Sequence, residues 1–279
     1  RYYLDEFLAG KAREAGVALY LGEKVVETRS EGEIISARMA SGNMIQAHVG
    51  IAAYGKRTRL DKELGRPFME QRSPYLGVKY HIKTDFPADR IVLHNFPGGY
   101  CGLSRVEGDT YNMCYLASRD RFKPFKGIRP AEEAILFQNP FLKSVFANSD
   151  FVFDKPVVIN EISFAPKATV EGDLFMCGDA AGLITPLCGN GMAMAIHGAW
   201  LLAETMQAHW PVGGKLNRQA AKAQYTRAWA RHFKARLWAG RHIQRLFGSV
   251  NMSPMAVATV NYAKPVARFL MRQTHGEVF

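Results

Sequence analysis

The sequence predicts a mixed α/β and α+β protein in which an α/β domain is interrupted by an antiparallel sheet and followed by a helical region. Alternating apolar residues dominate residues 67–168, which is typical of strands. A short apolar strand at 174–177 leads into a glycine-rich stretch, and residues 218–247 have helical periodicity. With 279 residues, of which 48% are hydrophobic and 22% charged, the chain is long enough to bury a core and has globular composition.

The first elements follow from local patterns. Apolar residues at helical spacing predict a helix over Tyr3–Ala15 that ends at Gly16, a residue suited to a left-handed cap. Alternation predicts a strand over residues 17–29. The stretches Ile34–Met39 and Met44–Val49 flank Ser41-Gly42-Asn43, a hairpin signal.

The middle of the chain reads as a sheet inserted between two parts of one domain. One helical stretch, Pro130–Phe137, interrupts it, and turn residues such as Pro97-Gly98-Gly99 separate its strands. The predicted strands are Leu76–His81, Ile91–Phe96, Tyr100–Ser104 and Tyr111–Leu116.

Cysteine and histidine usage argues against metal and disulfide scaffolds. The four cysteines form no C-x-x-C pair, and no histidine completes a zinc signature. Nothing at the N-terminus is typical of a signal peptide. We expect a cytoplasmic protein with free thiols and no bound metal.

The glycine-rich stretch is the most informative part of the chain. From Ala180 to Ala203 no residue carries a formal charge, yet interruption by glycines, Pro186 and His197 disfavours a membrane span. The preceding strand delivers Gly178-Asp179 at its carboxyl end, the edge where α/β sheets bind ligands. A carboxylate placed there can accept hydrogen bonds from ligand hydroxyls.

A helix start follows this carboxylate. Gly189-Asn190-Gly191 opens the next helical pattern, and its bare backbone lets a planar ligand approach closely. The free amides and the positive dipole end at such a start favour negative charge on that ligand.

The run Leu174–Met192 resembles the second FAD motif of a known superfamily, written G-D-A-A, a spacer with proline, then G-x-G. That superfamily comprises FAD-dependent oxidoreductases related to aromatic hydroxylases (class A flavoprotein monooxygenases) and geranylgeranyl reductases. The resemblance implies an FAD-binding, Rossmann-like domain in which Asp179 contacts the ribityl chain. It also implies that the amides of residues 189–192 face the pyrimidine edge of the flavin. The implied cofactor-binding residues are Gly178, Asp179, Pro186, Gly189, Asn190, Gly191 and Met192.

Two weaker matches to motifs of the same superfamily occur in the expected order along the chain. The first residues, Arg1 to Leu8, resemble the helix start R-x-x-L-D-x-x-L, which implies that Arg1 approaches the cofactor. The stretch Ile51–Leu60 resembles A-D-G-x-x-S-x-V/L, but Tyr54 stands where the aspartate is common. We expect the basic side chains that follow Tyr54, namely Lys56, Arg57 and Arg59, to lie on an exposed loop.

No segment matches G-x-G-x-x-G, the motif that grips the FAD pyrophosphate. We therefore expect an upstream unit that this chain does not contain, and weak FAD binding by the chain itself. The implied organisation is 1–66 as the remainder of the FAD domain, 67–168 as an antiparallel substrate domain, 169–204 as the return of the FAD domain, and 205–279 as a basic helical region.

The reaction stays open between monooxygenation and double-bond reduction of a hydrophobic or carrier-tethered substrate, with NAD(P)H as the expected reductant. Residues 99–104 keep the tyrosine of the reductase element Y-x-W-x-F-P but lack its tryptophan. No tryptophan pair has the spacing W-x-W-x-I-P, so halogenation is a disfavoured alternative. We assign no catalytic residue. The main candidates for substrate contact are His94, Tyr100 and Cys101, and Tyr80, His81 and Tyr115 are further candidates. Each of these residues is also typical of ordinary packing in a sheet.

Positive charge is concentrated in the last quarter of the chain. The net charge is +11, and residues 205–276 hold twelve Lys or Arg and no Asp or Glu. The predicted helix over residues 218–247 carries most of this charge. Either it packs on the core with its basic side in solvent, or its basic side forms a surface for an acidic carrier protein or an anionic membrane. Nucleic acid is not expected, and a non-catalytic binding protein is the competing class. Helical spacing places Tyr225, Trp229, Phe233 and Leu237 on one face, and Arg227, Arg231, Lys234, Arg241 and Arg245 on the opposite one.

Overall fold

The computed structural model describes residues 2–247, 262–265 and 268. It contains two compact units, one ending at Gly50 and the other beginning at Ile51. The mixed α/β fold class with antiparallel sheets is confirmed.

The first unit contains one helix and a three-stranded antiparallel sheet of order β1-β2-β3. The predicted helix and hairpin are confirmed, and Gly16 has a φ of +81° after the helix. The strand expected over residues 17–29 is wrong in its first part, because Gly22 turns with a φ of +74° and pairing starts only at Val25. No residue of the helix is buried. The elements are α1 (Tyr2–Glu14), β1 (Val25–Glu31), β2 (Ile34–Met39) and β3 (Met44–Ala47).

The next elements are β4 (Gly50–Ala52), α2 (Arg59–Glu63), β5 (Tyr75–Lys83), β6 (Ile91–Phe96), β7 (Gly99–Arg105), β8 (Tyr111–Ser118), α3 (Arg119–Phe122), α4 (Ile128–Ile135), α5 (Pro140–Ala147), β9 (Asp150–Phe151), β10 (Val157–Ile162), β11 (Val170–Glu171), β12 (Leu174–Met176), α6 (Gly191–His209) and α7 (Arg218–Phe247).

A six-stranded antiparallel sheet dominates the second unit. Its order is β10-β5-β8-β7-β6, with β9 pairing β5. The four predicted strands are confirmed. The expectation of a single helical stretch is wrong, because α5 follows α4. Asn139 caps α5 by accepting from the Phe141 and Leu142 amides, and Pro140 begins the helix, a start signal that the sequence contains.

The two faces of this sheet have different covers. On one face, Val78, Met113 and Tyr115 pack in a core with α4 and α5. On the other face, Tyr100 and Leu116 form a smaller apolar cluster. Since strand residues alternate between faces, adjacent residues of these strands pack in different clusters.

The remaining elements surround the glycine-rich stretch. Strands β11, β12 and β4 form a small sheet, after which come α6 and α7. Helix α7 spans the predicted residues 218–247, and its predicted apolar face is confirmed as buried. Over the described ranges, no helix is both long and apolar enough to cross a bilayer.

Candidate cofactor site

The Gly-Asp motif lies at the carboxyl end of β12, whose three residues are all buried. The Cys177 amide donates to the Ala52 carbonyl over 3.0 Å, which joins this strand end to β4. Gly178 then has a φ of +59°, a left-handed conformation that side chains disfavour. This turn starts a short 3-10 helix, Gly178–Ala180, and so fixes Asp179 at the sheet edge.

The start of α6 is open to a ligand. Gly189 has a φ of +68°, and Asn190 at the N-cap makes no side-chain capping bond to the helix. The first amides of any helix lack partners within it, so those of residues 191–193 are left to an outside acceptor. Gly189 and Met192 are exposed, whereas Asn190 is buried. The turn therefore presents backbone donors at an accessible edge.

Lys167, which no motif indicates, braces the Gly-Asp turn. Its Nζ donates to the Asp179 carbonyl over 2.8 Å and to the Lys56 carbonyl over 2.6 Å. Burial, reinforced by the nearby Arg66 charge, lowers the pKa of Lys167 to about 8. This ammonium ties together two segments more than a hundred residues apart.

The loop after Tyr54 is less exposed than its composition indicates. Lys56 and Arg57 are half-buried, so the expected exposure is wrong for both, whereas Arg59 is exposed as expected but begins helix α2 rather than lying on a loop. Burial lowers the pKa of Lys56, while Asp179 acts in the opposite direction. Arg57 reaches Glu161 over 3.4 Å. Positive charge thus lies near Asp179 from two segments.

A buried arginine network holds the segments behind the turn. Arg66, 1% exposed, pairs with Asp61 over 2.7 Å and with Glu171 over 2.8 Å. It also donates to the Ala180 carbonyl over 2.9 Å. The Tyr54 hydroxyl donates to Asp61 over 2.7 Å. Tyr54, which stands where the aspartate is common, is therefore part of this network through its hydrogen bond to Asp61, seven residues further along the chain.

Helix α7 forms a wall of the site. A Cβ added to Gly182 would lie 2.8 Å from the Trp229 ring and 3.0 Å from Leu237. The Thr185 hydroxyl donates to the Gly240 carbonyl over 3.3 Å. The loop between Asp179 and the α6 start is therefore packed directly on α7, a contact that sequence periodicity does not reveal.

The opposite wall is the smaller apolar cluster of the sheet, where Leu183 and Leu187 of the same loop pack against Tyr100 and Leu116. Burial raises the pKa of Tyr100 above its usual range. Among the described residues its buried hydroxyl makes no hydrogen bond of ordinary geometry. A protonated phenol thus lies beside the loop that carries the motif.

The other substrate candidates lie elsewhere. Cys101 is fully buried on the helix-covered face. His94 pairs with Cys101 in register and stacks on Phe141 at 5.7 Å. Tyr80 and Tyr115 both donate to Glu132 in that core. The structure therefore separates Tyr100 from His94 and Cys101 by the thickness of the sheet.

These residues fit the flavin end of FAD. The accessible amides at the start of α6 suit the electron-rich pyrimidine edge of the flavin. The Asp179 carboxylate lies at the sheet edge, where it could accept a hydrogen bond from a ribityl hydroxyl. Lys56 and Lys167 add positive charge near Asp179. Arg1 lies outside the described residues, and none of the described His, Cys, Asp and Glu groups could hold a metal ion.

Known proteins with the same architecture include several flavin enzymes. The flavin-dependent brominase Bmp2 matches with a TM-score of 0.71 at 21% identity, covering 96% of this chain and 69% of Bmp2. The halogenase PltM, solved with phloroglucinol and FAD, matches at 0.72 and 12% identity, covering 98% and 59%. PqsL from Pseudomonas aeruginosa, described as a probable FAD-dependent monooxygenase, matches at 0.63 and 16%, covering 92% and 72%. The chain therefore has the fold that these flavin enzymes share.

Sequence comparison finds two curated proteins that are similar to this chain. Digeranylgeranylglycerophospholipid reductase 1 of Methanothermobacter thermautotrophicus is 27% identical over 221 residues, 75% of this chain and 53% of the relative. Reductase 3 of Methanosphaera stadtmanae is 24% identical over 214 residues, 70% of this chain and 50% of the relative. The chain thus spans about half the length of these curated relatives. No protein-family model matches it.

Proposed function

We propose that the protein is an FAD-dependent oxidoreductase that acts on an apolar substrate lying against the sheet face of Tyr100 and Leu116. The observation that carries this proposal is the position of the loop from Asp179 to Met192. It packs on that sheet face through Leu183 and Leu187 and leaves the amides at the α6 start accessible. A flavin held by those amides would have an apolar wall beside it.

Each residue has a defined role in this proposal. Asp179 and the α6 amides hold and orient the cofactor, and Lys167 keeps the Gly-Asp turn in place. Tyr100 stays protonated at neutral pH, since burial raises its pKa, and can donate a hydrogen bond to a polar group of the substrate. The apolar neighbours exclude water. When bound, FAD supplies two-electron transfer.

Among the possible reactions we favour reduction. The two curated relatives are reductases, whereas likeness to halogenases and a monooxygenase rests on fold. The missing W-x-W-x-I-P spacing also disfavours halogenation. We propose NAD(P)H as the electron source and the cytoplasm as the compartment, in keeping with four free cysteines.

We further propose that Arg227, Arg231 and Lys234, all exposed on α7, dock the enzyme on an anionic membrane or an acidic carrier protein. Reversing these three charges should weaken sedimentation with anionic vesicles or carrier binding while FAD content stays unchanged. Unaltered binding to both would remove this surface from the proposal.

Cofactor binding is tested on the protein expressed from its complete reading frame. We expect a flavin absorption spectrum, and we expect Asp179→Ala to lower the FAD retained after gel filtration. Asp109→Ala is the matched control, since Asp109 is an exposed aspartate paired with Lys83. A colourless protein that takes up no FAD would contradict the oxidoreductase proposal and favour the alternative, a non-catalytic binding protein.

The reaction class is tested by product analysis with a prenyl alcohol and NAD(P)H. Saturated product formed without oxygen supports reduction. Product that forms only with oxygen and carries an ¹⁸O label from ¹⁸O₂ would instead establish monooxygenation.

A further inference from the structure

Three hydrogen-bond donors lie near one another on the sheet face beside the cofactor site: Tyr100, Cys114 and Lys56. Tyr100 belongs to β7 and Cys114 to β8, and strand alternation places both side chains on the face away from α4 and α5. Burial raises the pKa of the Cys114 thiol, and the charges of Lys79 and Lys56 lower it, so the Lys56 ammonium lies close to this thiol. The same ammonium is affected by the charge of Asp179. The donor cluster of Tyr100, Cys114 and Lys56 therefore adjoins both the cofactor site and the substrate face of the sheet.

Tyr100 supplies a buried donor without an acceptor. The residue is 4% exposed, and no group of the described residues accepts a hydrogen bond of ordinary geometry from its hydroxyl. Burial raises its pKa above the usual range, although the Leu187 amide acts on the phenol oxygen in the opposite direction. The phenol therefore stays protonated and keeps a hydrogen to donate. Because buried polar groups nearly always have partners, this hydroxyl indicates an acceptor that a ligand provides.

Lys56 and Cys114 show the same deficit. Lys56 is half-buried, and its ammonium forms no hydrogen bond or ion pair with the described residues. Cys114 is half-buried too, and its thiol stays protonated at neutral pH because burial raises its pKa. No carboxylate is among the groups that shift the pKa of this thiol. The cluster thus offers O–H, N–H and weaker S–H donors without an acceptor of its own.

A recess in the sheet face leaves room for a ligand beside these donors. Gly102 pairs with Cys114 in register and follows Tyr100 by two residues, so it lies on the same face. A Cβ added to Gly102 would meet no atom nearer than the Leu93 side chain, 3.4 Å away. Leu93 itself is 46% exposed. A planar apolar group can therefore lie over Gly102 with one edge at the donor cluster.

We propose that Tyr100, Cys114 and Lys56 bind the carbonyl oxygen of an α,β-unsaturated carbonyl compound, which is the substrate class of the reduction. Fixed donors stabilise an oxygen most when it becomes negative during a reaction. Hydride addition to a conjugated double bond puts that charge on the carbonyl oxygen, whereas addition to an isolated double bond does not. Carbonyl binding depends on the donor cluster alone, and turnover rests on the proposed function.

The reduction saturates the C=C bond with one hydride and one proton. The carbon β to the carbonyl accepts the hydride, and the electron pair of the C=C bond moves onto the carbonyl oxygen to give an enolate. The three donors hold this oxygen until water protonates the α carbon and the carbonyl re-forms. The two electrons come from NAD(P)H, the reductant of the proposed function, which is oxidised to NAD(P)⁺.

The first test measures carbonyl binding without turnover, on the protein expressed from its complete reading frame. The probe is 4-dimethylaminocinnamaldehyde, whose absorption moves to longer wavelength when its carbonyl oxygen accepts hydrogen bonds. We expect this red shift in the wild-type protein and a smaller one in Tyr100→Phe and in Lys56→Met. A probe that binds without a red shift, or a shift that both variants retain in full, would overturn the proposal.

The second test compares three compounds with one carbon skeleton, geranial, geraniol and geranic acid, each with NAD(P)H in the absence of oxygen. We expect geranial to lose only its conjugated double bond and to react at least about tenfold faster than geraniol, which has no carbonyl oxygen. Equal rates for geraniol, or saturation of the isolated double bond, would overturn the substrate class. Geranic acid that binds more tightly than geranial would assign the donors to a carboxylate and overturn it as well.

Tyr100→Phe separates a role in the reaction from a role in packing. We expect a kcat for geranial about a hundredfold lower with little change in KM, because the lost donor acts mainly on developing charge. Tyr75→Phe is the matched control. It removes a phenol hydroxyl from the same apolar cluster, on the side of Arg245, and should change neither constant. Equal losses in the two variants would reduce the effect to packing and overturn the role of Tyr100.

The donor cluster and the proposed function fail separately in these tests. A red shift of the cinnamaldehyde probe in a protein that reduces none of the three compounds would support the cluster and contradict the proposed reductase. Reduction of geraniol without preference for geranial would support the reductase and overturn the cluster.

Discussion

Lys167 donates from its Nζ to the backbone carbonyl of Asp179 over 2.8 Å. The same ammonium donates to the Lys56 carbonyl, so a single half-buried cation joins the Gly-Asp turn to the segment after β4. Asp179 follows a glycine in the left-handed conformation, which glycine adopts without strain, so the ammonium contact fixes where the turn lies rather than whether it forms. Lys167 therefore positions the residue on which the cofactor assignment depends.

Replacing Lys167 by Met should lower FAD retention, because the turn loses its two carbonyl contacts while the methylene chain keeps its packing. Titration of the apoprotein with FAD measures the effect, which we expect to be about tenfold in the dissociation constant. Lys143→Met, on the exposed side of α5, is the control. Equal affinity in both variants would show that the turn holds itself.

The same lysine gives a pH-dependent effect on stability. Its pKa falls from an ordinary 10.5 to about 8 in the folded protein. Between these values the unfolded chain binds more protons than the folded one, so stability increases with pH in this window. Urea unfolding from pH 8 to 10 should therefore show wild type gaining stability relative to Lys167→Met. A constant difference would contradict the lowered pKa.

Arg66→Met should cost about 3–5 kcal/mol, because it leaves Asp61 buried without its cation. Both side chains are almost fully buried, so solvent cannot replace the lost pairing. The control is Arg59→Met, which breaks an exposed i,i+4 pair with Glu63 and should cost less than about 0.5 kcal/mol. Urea unfolding compares the two, and similar losses would mean that the buried network adds little.

The sequence predicts backbone features better than the contacts that hold them. Alternation and turn residues locate the four main strands, and the spacing from Gly178 to Met192 locates the motif. Lys167 and Arg66 escape prediction because their partners are main-chain carbonyls and carboxylates distant in sequence. Lysine and arginine are usually surface residues, and only tertiary packing buries Arg66 and half-buries Lys167.

The same limit explains the substrate candidates. Tyr100 and Cys101 are adjacent in sequence, yet strand alternation sends their side chains to opposite faces. The packing of α4 and α5 decides which face forms the core. A search for polar and aromatic residues in this region could therefore collect both residues but could not separate them.

Gly182→Ala should destabilise the protein by about 1–3 kcal/mol, because the added methyl overlaps the Trp229 ring at 2.8 Å. The loop must then move away from α7, so FAD retention should fall as well. Gly10→Ala in α1, where an added Cβ meets no atom within 4 Å, should instead stabilise its helix slightly. Thermal unfolding of both variants measures the contrast, and a neutral Gly182→Ala would argue against tight packing of the loop.

Ionisation of the buried Glu132 should lower the free energy of unfolding as pH increases. Burial raises the pKa of its carboxyl above the ordinary 4.5, although hydrogen bonds from Tyr80 and Tyr115 act in the opposite direction. Above pH 4.5 the folded state binds more protons than the unfolded one, so ionisation destabilises the fold as pH increases. Glu132→Gln keeps an oxygen that can accept from both tyrosines and removes the charge.

The variant Glu132→Gln should therefore gain stability relative to wild type as pH increases from 4.5 toward 8. Chemical unfolding at closely spaced pH values measures this trend. Glu133→Gln is the control, since it removes an exposed carboxylate of the same helix, one that pairs with Arg129. A difference between wild type and Glu132→Gln that does not change with pH would mean that Glu132 titrates normally, and that the core tolerates its charge.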